Sequence, residues 1–395
     1  MKKLAVIASH TIQYQTPLFK KLAVSGDVEL KVYLCWDFGM KESYDSQFRQ
    51  KISWDIPLLD GFDWELLKNI SPRPSSSYWW GEINPGIIGA LKKGHYDGLL
   101  VYGWNFATSW FAFITAIIYG IPLFIHGENP LHQELAKSPV KIFLKKKILG
   151  WLFYRASGVF YIGEENKKFY RFYGVPEEKL FFAPYSVDNE RLMKEAKRLR
   201  FKREEFKAGL GIPLENVAVL FVGKLMAKKN PMDLLKAYEN LNKKYKIQNI
   251  SLIFVGDGEL RKELEFYVRQ NNIPQVHFAG FKNQTELPKY YSLADIFVLP
   301  SGAGETWGLV VNEAMCFNLP IIVSDVVGCG SDLVKQEKNG YVFPLGDIEK
   351  LAQYLKDLIK DGKKRNSFGK KSFEIIQGYS HEKDIRGILS VLKND

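Results

Sequence analysis

The sequence predicts an α/β protein made of two doubly wound domains of similar size. Short continuous apolar runs recur along the chain, spaced by segments mostly long enough for crossover helices. That is the pattern of parallel strands buried on both faces. The pattern is interrupted from Lys194 to Lys207, where the chain is densely charged and poor in apolar residues, and then it resumes. At roughly 150 residues per domain, 395 residues make about two to three domains and exclude one small module.

The first strand is read at Leu4–Ser9, within MKKLAVIASH. Two lysines precede only a short apolar run there and no small-residue cleavage signal follows, so the segment is read as a buried strand rather than a leader. Val28–Cys35, Leu99–Tyr102, Leu123–His126, Val159–Ile162 and Leu180–Ala183 continue the series. Residues 98–125 hold no charged side chain over 28 positions, long enough to span a bilayer. However, Gly103, Asn105, Thr108 and Ser109 follow the apolar run, and Gly120-Ile121-Pro122 punctuates the far end. The stretch therefore reads strand, loop, helix, turn, strand, and a membrane span is not expected. A second α/β domain begins near residue 200, with strands at Val217–Val222, Leu252–Val255, His277–Ala279, Ile296–Leu299 and Ile321–Ser324.

Hydrophobic residues at 46% and charged residues at 25% leave little room for disordered tracts. Lysine and arginine total 55 against 44 acids, a net +11 that favours anionic partners, whether phosphates, nucleic acid or acidic lipid. Through position 190 there are 22 basic and 19 acidic residues, and the remaining 33 and 25 place +8 in the second half. Neither half resembles a nucleic-acid stripe, so no nucleic-acid partner is expected. Cys35, Cys316 and Cys329 are too few and too scattered for a disulfide framework or a zinc site, and a reducing compartment follows.

The segment that carries most chemistry is PSGAGETWGLVVNEAM, 300–315, preceded by the apolar strand IFVLP. A helix beginning near Trp307 or Gly308 places Glu305 in the loop before it and Glu313 on its second turn. The glycines permit close backbone approach, and the amides of Trp307 to Val310 at the helix start suit a diphosphate. Carboxylates accept hydrogen bonds from neighbouring hydroxyls, so one acid suits a transferred sugar and the other a ribose.

With FVGKLMAKKNP at 221–231, LIFVGDGE at 252–259 and VHFAGF at 276–281 in order before it, this segment resembles glycosyltransferase family 4. The resemblance is strong over about 217–350 and weaker over the first half. It implies the GT-B architecture, two Rossmann-like domains facing a central cleft, and sugar transfer with retention of anomeric configuration. Residues 1–195 would be the acceptor domain and 196–379 the donor domain. SHEKDIRGILSVL near the carboxyl terminus, within 380–395, resembles the family helix that crosses back to the first domain.

The resemblance also implies roles. Lys224 and Lys229 match an arginine and a lysine that hold the donor diphosphate, beside Gly223, and Asn230 stands where a glycine is usual. Lysine keeps the charge but loses the planar fork that grips two phosphate oxygens. Glu305 would contact the donor sugar, Glu313 the ribose, Gly308, Leu309 and Val310 the diphosphate, and Phe281 and Lys282 the base, largely through backbone. His126, in IPLFIHGEN, matches a histidine near the donor sugar and the leaving-group oxygen, with Glu128 a weaker candidate. His10, in SHTIQYQTPLF, resembles a subset of bacterial members that lack the usual glycine-rich loop. No two aspartates lie two positions apart, so the metal-holding Asp-x-Asp of the other main glycosyltransferase fold is absent, and neither metal nor cofactor is expected beyond the nucleoside diphosphate sugar itself.

The expected function is retaining, metal-independent transfer of a sugar to a glycan or lipid-linked acceptor, in cell-surface polysaccharide or glycolipid synthesis. A sugar-nucleotide epimerase or hydrolase and a non-enzymatic anionic-surface binder stand as alternatives. A cytoplasmic protein, peripheral on the inner face of the plasma membrane, is expected from KSPVKIFLKKKILGWLFYR, 137–155, which has six basic residues and no acid. Val140, Phe143, Leu144, Ile148, Trp151 and Leu152 fall at helical spacing beside a stripe of Lys137, Lys141 and Lys145. A packed domain face is the other reading of that helix. Trp79, Trp80, Trp104 and Trp110 are read either as sugar-stacking platforms or as core.

Overall fold

The apolar runs of the first half form a seven-stranded parallel sheet, described by a computed structural model covering residues 1–45 and 48–392. Its strands are β1 (Lys2–Ala8), β2 (Val28–Leu34), β5 (Asp63–Leu66), β6 (Gly98–Tyr102), β7 (Leu123–His126), β8 (Gly158–Tyr161) and β9 (Leu180–Phe182). Their order is β5-β2-β1-β6-β7-β8-β9. Two further short strands, β3 (Ser43–Asp45) and β4 (Gln50–Ile52), pair with each other. The helices of this half are α1 (Thr16–Val24), α2 (Gly86–Gly94), α3 (Ala107–Tyr119), α4 (Leu131–Leu135), α5 (Pro139–Arg155) and α6 (Glu164–Phe172).

Strand alternation assigns side chains to two cores. Ala5, Ile7, Leu99 and Val101 face Ile87 of α2, Phe113 of α3 and Leu152 of α5. Leu4, Val6 and Leu100 face Phe19 of α1 and, from the far end of the chain, Ile388 and Leu389. The uncharged stretch 98–125 is β6, α3 and β7, as its punctuation predicts. No helix among the described residues is long and apolar enough to cross a membrane.

The second half contains α7 (Asn189–Leu199), α8 (Arg203–Gly209), β10 (Val217–Val222), α9 (Pro231–Lys243), β11 (Ile250–Val255), α10 (Arg261–Gln270) and β12 (Val276–Gly280). It continues with α11 (Leu287–Leu293), β13 (Ile296–Leu299), α12 (Leu309–Cys316), β14 (Ile321–Ser324), α13 (Gly330–Leu333), β15 (Gly340–Phe343), α14 (Ile348–Lys360) and α15 (Gly362–Ile376). Its six parallel strands run β12-β11-β10-β13-β14-β15. The last helix, α16 (His381–Ser390), supplies Ile388 and Leu389 to the first sheet.

By contacts the chain divides into one unit of Met1–Ser43, Ile52–Tyr185 and His381 onward, and another of Tyr44–Lys51 and Ser186–Ser380. The change of unit after Tyr185, rather than at 195, has a physical reason. Helix α7 packs on α11 and α12, and the buried Asn189 amide donates to the carbonyls of Ile376 and Tyr379, each at 3.1 Å. The grouping of 44–51 with the second unit has no counterpart in the sequence reading.

Among the tryptophans, Trp104 is buried and stacked on Phe169, and the Trp110 indole donates to the Trp104 carbonyl. These two belong to the core reading, whereas Trp79 and Trp80 are exposed.

Candidate functional site

The carboxyl ends of β10, β11, β12 and β13 carry the loops that hold most of the expected site residues. After β13 the chain turns into α12 through Gly308, whose φ of 99° lies in the left-handed region. A Cβ there would stand 2.9 Å from Leu299 Cδ2, so glycine is required on both counts. The helix begins at Leu309, one residue past the expected start, with Glu305 in the preceding loop and Glu313 on the second turn. Leu309 and Val310 open the helix, where backbone amides lack intrahelical acceptors.

The β10 loop interlocks with its neighbours. Gly223 N donates to Val255 O, Leu225 N to Asp257 O and Leu260 N to Leu225 O, each at 2.9 Å. A Cβ on Gly256 would lie 2.0 Å from Gly223 O, so the GDGE turn must be this bare to approach the first loop. On the other side Gly302 N donates to Lys228 O at 2.8 Å and Asn230 Nδ2 to Pro300 O at 3.3 Å. Asn230 has φ 46°, a conformation asparagine tolerates, which explains how it replaces a glycine.

Lys229 and Glu305 meet directly: the ammonium bonds Glu305 Oε2, and the carboxylate residue is 7% exposed. Glu313 is 1% exposed and accepts a 2.6 Å hydrogen bond from the Tyr291 hydroxyl. Lys224 is not drawn to either glutamate. Its Nζ lies 3.1 Å from Asp45 Oδ2 and 4.6 Å from the Phe48 ring centroid. Burial pushes the Lys224 pKa down, and the Asp45 carboxylate opposes that shift. Phe48 also packs edge-on against Phe281, centroids 5.0 Å apart, while Lys282 pairs with Glu286 at 3.2 Å. The sequence reading missed Asp45, Phe48 and Tyr291. Asp45 and Phe48 lie in a short polar stretch with no motif, and Tyr291 is an ordinary helix residue until its hydroxyl is seen on Glu313.

The arrangement presents two lysines, each neutralised by one acid, beside bare backbone amides and a second buried carboxylate. Such a set can receive a diphosphate at the cations and hydroxyls at the acids.

In the first unit, His126 ends β7 and is 2% exposed. Its ring lies 4.7 Å from that of Tyr102, and its carbonyl accepts from Gly103 N at 2.7 Å. Burial pushes its pKa down to about 4, so the ring is neutral near pH 7 and carries one N–H. Nδ1 has no hydrogen-bond partner among the described residues. Burial raises the Glu128 carboxyl, and a hydrogen bond with Tyr185 opposes the rise.

His10 packs edge-on against Trp36 and Phe38, and its Nδ1 lies 2.9 Å from Ser9 Oγ. Burial holds it at about 4. Ser9 donates in turn to the fully buried Glu82, whose carboxyl burial pushes up to about 7. Glu82 was not singled out in the sequence, where it is one acid in a loop.

A cavity of about 700 Å³ in the second unit contains none of these residues. It is lined by Arg200, Arg203, Asp295 and Arg365, among others, and Asp295 stands before β13 rather than after it. The strand-end site and this cavity are therefore at opposite ends of the sheet.

Two Rossmann-like units with parallel sheets, the second carrying glycine, lysine and glutamate loops at its strand ends, give the chain the GT-B fold seen in glycosyltransferase structures. Residues 202–374 match the family described as glycosyl transferases group 1, which bears out the resemblance read from the motifs. Over 201 residues, half of this chain, it is 31% identical to the sulfoquinovosyl transferase of Arabidopsis thaliana, covering 36% of that protein. Over 267 residues, 66% of this chain, it is 28% identical to an Escherichia coli protein, covering 65% of it. That relative is named UDP-Gal:alpha-D-GlcNAc-diphosphoundecaprenol alpha-1,3-galactosyltransferase. The matches thus span less than two thirds of either relative's length. The crystal structure of Anabaena HepE in complex with UDP superposes with a TM-score of 0.74 at 21% identity over all of both chains, a likeness of fold.

Proposed function

We propose that the protein is a retaining, metal-independent glycosyltransferase that moves a sugar from a nucleoside diphosphate sugar to a glycan or lipid-linked acceptor. It serves cell-surface polysaccharide or glycolipid synthesis and works as a peripheral protein on the inner face of the plasma membrane. The observation that carries the transferase reading is the Lys229–Glu305 contact at the glycine-led start of α12.

In this reading the bond between the anomeric carbon and the β-phosphate oxygen breaks, and the acceptor oxygen bonds that carbon on the same face. The acceptor proton passes to the departing phosphate oxygen. Lys224, Lys229 and the amides of Leu309 and Val310 stabilise the charge that develops on the nucleoside diphosphate. Those cations, together with the absence of an Asp-x-Asp pair from the sequence, support transfer without a divalent ion. Glu305 accepts from sugar hydroxyls and Glu313 from the ribose. His126, neutral at pH 7, is assigned a hydrogen bond to the donor sugar on the strength of the resemblance.

The E. coli relative, by its name, takes UDP-Gal and a diphosphoundecaprenol-linked sugar, so uridine donors and lipid diphosphate acceptors come first for testing. Thermal shift against uridine, guanosine and adenosine diphosphates and their sugars should show selective stabilisation by one base. Product analysis with and without acceptor, and in chelator, then separates transfer from epimerisation or hydrolysis. No nucleotide response at saturation would overturn the reading.

A further inference from the structure

Helix α5 is apolar on two opposite sides. Leu149, Leu152 and Phe153 are buried in the first unit's core. Val140, Phe143, Leu144, Ile148, Trp151 and Tyr154 are 45–78% exposed. At about 100° per residue the exposed six fall within roughly 140° of arc, on the far side from the buried three. The expected single face is thereby corrected: Leu152 turns inward, and the other five residues assigned to it face solvent.

The expected lysine stripe divides in the same way. Lys137 and Lys145 are taken up by the buried Glu134 carboxylate, at 2.8 and 2.7 Å, which also accepts from the Tyr173 hydroxyl at 2.8 Å. Lys141, Lys147 and Arg155 flank or interrupt the apolar arc, with Lys147 Nζ 5.7 Å over the Phe143 ring, whereas Lys146 lies about 20° from the buried Phe153 with its Nζ 5.0 Å over the Phe172 ring. Neither α3 nor α5 contains an acidic residue. Helix α3, packed on the same core, also exposes Ile114 and Ile118.

An apolar area this wide is unusual on a soluble monomer's surface. A protein partner's interface core is depleted in lysine, whereas here Lys147 stands within the apolar arc and Lys141 at its edge. Long lysine stems reach phosphate headgroups while neighbouring rings enter the acyl boundary. We infer that the exposed ridge of α5 docks the first unit on an anionic lipid bilayer. The inference deepens the reading of a peripheral enzyme but does not depend on catalysis.

The test is flotation of the full chain with phosphatidylglycerol-containing or pure phosphatidylcholine vesicles, at low and high salt. Binding to the anionic vesicles alone, weakened by salt, is expected. Phe143→Ser/Trp151→Ser should lower it by about tenfold or more, and Lys141→Gln/Lys147→Gln by about twenty-five-fold, at about fivefold per lysine. Both variants should keep the wild-type melting temperature, the nucleotide-induced shift and turnover on a soluble acceptor. Absence of wild-type flotation, or flotation unaltered in the folded variants, overturns the inference. So does a wild-type dimer, seen by light scattering, that Phe143→Ser/Trp151→Ser converts to a monomer, because the ridge would then be a contact between copies. Loss of the nucleotide shift in the wild type would sink the transferase reading and leave the flotation result standing.

Discussion

Replacing Glu305 with glutamine should uncouple nucleotide binding from turnover. The Lys229 and Glu305 side chains are 15% and 10% exposed, so the pair is largely shielded from water. Removing one member of a buried pair costs about 3–5 kcal/mol, and the residual exposure lowers this to roughly 2–3 kcal/mol. At about 2–4 °C per kcal/mol for a unit of this size, Glu305→Gln should lower the melting temperature by roughly 4–12 °C. A bound diphosphate would supply the missing negative charge. Saturating UDP should therefore raise the melting point more in Glu305→Gln than in the wild type, even though transfer falls about a hundredfold or more. Lys229→Met should lose most of the UDP shift, and the double variant should show a coupling of about 2 kcal/mol in urea unfolding. If Glu305→Gln melts within about 1 °C of wild type and responds equally to UDP, the pair does not neutralise Lys229 and the argument fails.

Three further outcomes follow from other contacts. Asp45→Asn should remove a carboxylate that competes for the Lys224 ammonium and tighten UDP binding about fivefold by calorimetry; weaker binding would show that Asp45 supports the site rather than competing with the ligand. Gly256→Ala sets a Cβ 2.0 Å from Gly223 O at a φ of 132° and should cost roughly 2–4 kcal/mol. Gly89→Ala, mid-helix with nothing within 4 Å, should instead stabilise by about 0.5–1 kcal/mol, and equal melting of the two variants would contradict the packing described. Burial raises the Glu82 carboxyl from 4.5 to about 7, so between those values the native state keeps a proton that the unfolded chain has released. Stability from this group accordingly falls as pH rises through that window, by about 3 kcal/mol at pH 8. Glu82→Gln should flatten the decline, and melts from pH 5 to 8 with the wild-type slope would refute it.

The parts of the fold written in local sequence were legible, and the parts made by distant contacts were not. Runs such as Val217–Val222 and Leu123–His126 are strands with the expected limits because both faces of each are covered. Edge strand β5, DWEL, carries two acids and half-exposed side chains, so no apolar run announced it. The Glu305 to Glu313 segment was readable because strand, turn and helix are consecutive, and Gly308 marks the turn. Asp45 reaches Lys224 across 179 positions, and Tyr291 reaches Glu313 from another helix. Neither residue type nor spacing encodes such a meeting.

Helix α5 shows why periodicity alone could not settle which side of a helix meets the core. A 3.6-residue repeat reports the difference between two faces, and when both are apolar that difference nearly vanishes. Choosing Leu152 with Val140 and Phe143 is then a selection among overlapping sets, and only the sheet contact of Leu149, Leu152 and Phe153 separates them. Charge suffers the same ambiguity. Six basic residues in 137–155 look alike in sequence, yet Lys137 and Lys145 are spent on one buried carboxylate. A net charge of +11 thus sums cations that clamp the interior and cations that face outward, and only the second kind can recognise an anionic surface.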